Sequence, residues 1–98
     1  MKALKALKPS PASEPAAFAE ADVSSMQALA TGTANEGQQK RAFAWILESA
    51  CGIGQWPYRD SQRETDVALG RQFVGHQIVG LTRVNISRLR KREETQGA

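Results

Sequence analysis

The stretch ALGRQFVGHQIVG, residues 68–80, sets Gly70 and Gly75 with four residues between them. That is the glycine gap of a G-x-x-x-x-G-K-[ST] loop, whose exposed backbone N–H groups cradle phosphate between a strand and a helix. Here His76 and Gln77 stand where the loop needs Lys and Ser or Thr, no strand pattern precedes, and the intervening apolar residues keep a helical period. Phosphate chemistry is therefore disfavoured. His76 falls nearly opposite the apolar stripe, and no Ser, Cys or acid pair is spaced to form a relay with it, so it reads as a surface or interface histidine. Glu64 and Asp66 are two apart and point to different sides of a helix, which argues against paired acid/base work. Cys51 reads as a small half-buried thiol. One Cys and one His cannot supply the three or four ligands of a zinc site. The expectation is no catalytic residue, no cofactor and no metal.

The glycines then need another reason. Gly70, Gly75 and Gly80 recur every five residues inside a helical pattern. Each costs roughly 0.5–1 kcal/mol relative to alanine in a helix interior, which calls for close backbone approach. Gly70 lies within the apolar arc and is expected to admit Phe43 or Trp45 from a preceding helix. Gly80 lies at the arc's edge and Gly75 on the other side, which points to contacts with other chains or to a bend.

The elements that would position these residues are helical. QQKRAFAWILESAC, residues 38–51, puts Phe43, Ile46, Leu47 and Ala50 on one stripe, with Asn35 as an N-cap and Gly52 as a stop. Trp45 points off the stripe. The following GIGQWPYRDSQRE contains Pro57 between Trp56 and Tyr58, so a helix cannot run through, and its aromatics are expected to pack back on the hairpin end. Residues 64–92 read as one long helix with Thr65 or Asp66 as N-cap. Its face carries Val67, Gly70, Val74, Ile78 and Leu81, with Phe73 and Val84 at the shoulder. Residues 9–37 hold three of the four prolines and little apolar surface, so 1–37 is expected to be a flexible arm ordered by partners, with EPAAFAEADVSSMQAL a candidate short helix.

Composition agrees with a dependent unit. Only about 60 residues carry folding pattern, roughly where independent folding becomes marginal. The single cysteine excludes an internal disulfide and suits a reducing compartment. No run approaches the roughly 18 apolar residues of a membrane span, and the start lacks the apolar stretch of a secretion signal. Charge runs basic, acidic, basic: Lys2, Lys5 and Lys8, then Glu14, Glu20, Asp22 and Glu36 with no base, then ten bases against six acids from residue 38 onward. SRLRKRE concentrates cations. Arg83, Arg88, Arg90, Lys91 and Arg92 suit either phosphates or an acidic protein surface, or a solvated helix end compensated by Glu93 and Glu94. A helix-turn-helix is disfavoured by the long connection with Pro57 in it.

The helix AFAWILESACG, the aromatic loop and TDVALGRQFVGHQIVGLTR resemble a family of small virion proteins of tailed, especially short-tailed, bacteriophages. The likeness spans roughly Arg41 to Leu81, and its telling element is GR-x-x-VG, here Gly70, Arg71, Val74 and Gly75. It implies a helical hairpin in the particle, at the portal and tail or among internal proteins ejected with the genome, made in the host cytoplasm during assembly. The expected fold is all-α, a hairpin of residues 38–98 behind an arm. The expected function is a multi-copy structural protein with a homo-oligomeric partner, other phage structural proteins and phage DNA as partners. Phe43, Ile46, Leu47, Val67, Phe73, Val74, Ile78 and Leu81 are expected to hold the hairpin, and Arg71, Arg83, Arg88 and Arg90 to make polar contacts outward. The alternative is a small nucleic-acid-binding regulator using the C-terminal basic helix.

Overall fold

A computed structural model describes residues 11–97, with side chains through Thr95. The described chain is all-helical: α1 Glu20–Ala30, α2 Glu36–Trp45 running into a π-helical turn Ile46–Ala50, α3 Gln62–Thr82 and α4 Ile86–Gly97. The first ten residues of the expected arm, with Lys2, Lys5 and Lys8, lie outside the described residues.

Residues 11–37, the described part of the expected arm, fold onto the same chain. At the start of α1 the Asp22 carboxylate accepts the Ala19 N–H at 2.8 Å, satisfying a donor just outside the first turn. α1 is closed by Gly32 beyond its end, whose φ of 74° lets Thr33 N–H reach back to the Ala28 carbonyl and Gly32 N–H to that of Leu29. Three residues later Asn35 starts α2 with a reciprocal pair. Its side chain accepts the Gln38 N–H at 2.8 Å while Gln38 Oε1 accepts the Asn35 N–H at 3.0 Å. So short a connection folds α1 back on α2, and the pair is tied by Arg41 on Asp22 at 2.9 Å. Both helices bury small residues, Ser25 and Ala42, which lets them approach closely.

α2 widens at its end, where the Cys51 N–H bonds to the Ile46 carbonyl in the i to i+5 pattern. Gly52, at φ 62°, then reverses the chain. α3 starts one turn earlier than expected, at Ser61, whose Oγ accepts the Glu64 N–H at 3.1 Å. Neither expected cap, Thr65 or Asp66, serves: Thr65 is buried and accepts the Arg59 N–H at 2.9 Å, and Asp66 lies inside α3. The aromatics of the loop stay exposed and pair with each other, Trp56 and Tyr58 with ring centroids 5.1 Å apart.

The single long helix expected over 64–92 is two helices. α3 stops at Thr82, whose hydroxyl turns back to the Val79 carbonyl at 2.6 Å, and Asn85 opens α4 by accepting the Arg88 N–H at 3.0 Å. Asparagine offers the backbone a local side-chain partner, which is why it favours caps over helix interiors. Among the described residues α4 packs against none of the other helices.

Candidate assembly surface

The structure divides α3 into two faces. At about 100° per residue, Val67, Ala68, Arg71, Gly75, Ile78 and Val79 gather on the side that meets the π-helical turn, flanked by Thr65 and Gln72. Gly75 is the closest approach: a Cβ there would collide with Ile53 Cγ2 and lie 2.9 Å from Cys51 Cβ. Its bare backbone seats the loop of the same chain, not another chain or a bend. Gly70 and Gly80 show nothing within 4 Å of a built Cβ, so Gly70 does not receive Phe43 or Trp45. Trp45 turns to the arm instead, its Nε1–H donating to the Ala17 carbonyl at 3.0 Å.

Arg71 faces inward, unlike the outward contact expected of it. Nε donates to the Ala50 carbonyl at 2.7 Å, Nη2 to Ser49 at 2.8 Å and Nη1 to Ala12 at 3.1 Å. The last carbonyls of a helix lack intrahelical donors, and one planar guanidinium here serves two of them and clamps the arm. Gln72 Nε2 ties down the loop beyond, donating to the carbonyls of Gly52 at 2.9 Å and Gln55 at 2.7 Å. Glu64 holds the arm's other anchor, accepting from Ser13 Oγ at 2.6 Å and Ser13 N at 3.0 Å. These two bonds, the hydroxyl's first, hold its carboxyl below the usual range. Asp22 is held down likewise, by the Ala19 N–H and then by Arg41.

Among the described residues the opposite face of α3 is left largely open. Leu69, Phe73, Val74 and Leu81 are 43%, 66%, 50% and 76% exposed, and Gly70 and Gly80 open between them. Of the residues expected to hold the hairpin, Val67, Ile46, Leu47 and Ile78 are half-buried inside, while Phe43, Phe73, Val74 and Leu81 lie outside. No large side chain among the described residues is fully buried. The core is Ala12, Ala42, Cys51 and Ala68 with Ser25 and Thr65, small residues that a reading of apolar stripes passes over. Nothing in the spacing marks Ser13, Glu64 or Gln72 as anchors.

His76 is exposed on α3 and Cys51 is buried under Gly75. Among the described residues no cluster of His, Cys, Asp and Glu could hold a metal ion, and no helix is long and apolar enough to cross a membrane. Arg83, Arg88, Arg90, Lys91 and Arg92 are all exposed, the last four on α4. No family model matches the chain, and no curated protein and no solved structure matches it either.

Proposed function

We propose that the chain is a non-enzymatic structural subunit that works in several copies, joined through the outer face of α3, as a bacteriophage virion component of the portal and tail region or of the internal, ejected set. The observation that carries the assembly reading is the pattern on that face: large apolar residues alternating with open glycine positions, left exposed among the described residues. Exposed apolar clusters of this kind mark interaction sites.

The face is complementary to itself. In an antiparallel pair with its two-fold axis at Gln77, residues on the same side of the seam meet, so Phe73 of one copy falls over Gly80 of the other and Val74 meets Leu81. The bare Gly80 leaves room for the ring. The virion assignment is supported by the resemblance over Arg41 to Leu81. The fold supplies a physical reason for that motif's residues, since Arg71 and Gly75 hold the π-helical turn on α3 while Gly70 and Val74 lie on the free face.

Phe73→Asp and Leu81→Asp test the seam. Both side chains are exposed in the single chain, so helicity by circular dichroism should persist while the oligomer seen by sedimentation equilibrium dissociates. An unchanged oligomer in both variants refutes the seam. Finding the chain in purified particles, and comparing full particles with those that have released DNA, tests the virion assignment; its absence from both refutes it.

A further inference from the structure

We infer that α4 is a docking helix for the phosphate backbone of duplex DNA, through one cationic face made of Arg88, Lys91 and Arg92. At about 100° per residue these three fall at i, i+3 and i+4 on a common arc, with the Thr95 hydroxyl continuing it at i+7. Arg90 stands on the other side, between Glu93 and Glu94, where Ile86 and Leu89 also lie. Glu93 stands about 100° from Arg92, while Glu94, three residues after Lys91, borders the face on one side, so three cations against one flanking acid leave the face positive.

The setting of the helix matches this use. Three cations outside α4 have internal work: Arg41 on Asp22, Lys40 on Glu36 at 2.9 Å and Arg71 on three carbonyls. Among the described residues, by contrast, α4 packs against no other helix and every described side chain on it is exposed. Its start is fixed by Asn85, so the face is presented by a helix rather than by loose chain. At 1.5 Å per residue the helix spans about 18 Å, and duplex DNA offers about ten phosphates over that length, one per ~1.7 Å of axis. Clustered like charges on an unsupported helix repel one another, and a dense array of fixed anions relieves that more fully than the scattered carboxylates of a protein surface.

The inference is independent of the α3 seam. The full chain is titrated against a fluorescent mixed-sequence DNA duplex across salt, with anisotropy as the readout. Three neutralised phosphates give a slope of log affinity on log salt of about −2.7 per chain, a loss of about 40-fold between 50 and 200 mM salt. Replacing Arg88, Lys91 and Arg92 together by Gln should remove that slope, and Arg90→Gln should leave most of it. Circular dichroism checks that α4 remains helical. The Phe73→Asp chain should keep the per-chain slope even when monomeric. The inference is overturned if the triple variant changes the slope no more than Arg90→Gln does, if wild-type binding is flat in salt, or if poly-glutamate displaces the duplex at equal charge.

Discussion

Three glycines at equal spacing on one helix should respond to alanine with opposite signs. A Cβ at Gly70 or Gly80 enters open space. Alanine there adds only helix propensity, about 0.5–1 kcal/mol of stabilisation for each, or a rise in Tm of several degrees in a domain of this size. At Gly75 the same propensity gain is offset by overpacking. The new methyl would overlap Ile53 Cγ2 and press on Cys51 at 2.9 Å, and both belong to the reversal set by Gly52 and tied by Gln72. The segment must lift from α3, stretching the carbonyl contacts of Arg71 beside it. Overpacking costs of about 1–3 kcal/mol set against a gain of at most about 1 leave Gly75→Ala destabilised by up to about 2 kcal/mol. Urea unfolding followed by circular dichroism, at concentrations low enough to dissociate oligomers, measures all three on one scale. If Gly75→Ala stabilises the monomer as Gly70→Ala and Gly80→Ala do, the close approach is not real and the account of the helical packing fails with it.

Arg71→Met keeps most of the side chain's bulk and removes donors to Ser49, Ala50 and Ala12. It should cost about 2 kcal/mol in the same urea assay, charge-assisted bonds to carbonyls being worth that order, and Arg71→Lys should recover only part because one ammonium cannot span three carbonyls. The Glu64 anchor gives a pH dependence of known sign. Its folded pKa is depressed, so the stabilisation is complete above the ordinary carboxyl value of 4.5 and is lost as pH falls below it through the folded value. Trp45 fluorescence, reporting the arm through Ala17, should therefore change on acidification below that range, and Glu64→Gln should show the released signal already at neutral pH.

The sequence by itself determined that the chain is helical and where helices stop and start when the signal is local. Asn35 as a cap, and Gly52 after the last turn of α2, act within a few residues of themselves, so their chemistry is legible without the fold. Periodicity also marked Leu81, Val74 and Phe73 as one side of a helix. Which side faces inward was decided only in three dimensions. The π-helical turn leaves carbonyls that need donors and a backbone that comes within contact of α3, so the inner face is the one that offers Arg71, Gln72, Ala68 and Gly75, and the expected apolar arc is split, with Val67 and Ile78 inside and Phe73, Val74 and Leu81 outside. Hydrophobic pattern reports what an element would gain by burial; the polar groups already fixed on its neighbour decide which face can satisfy them.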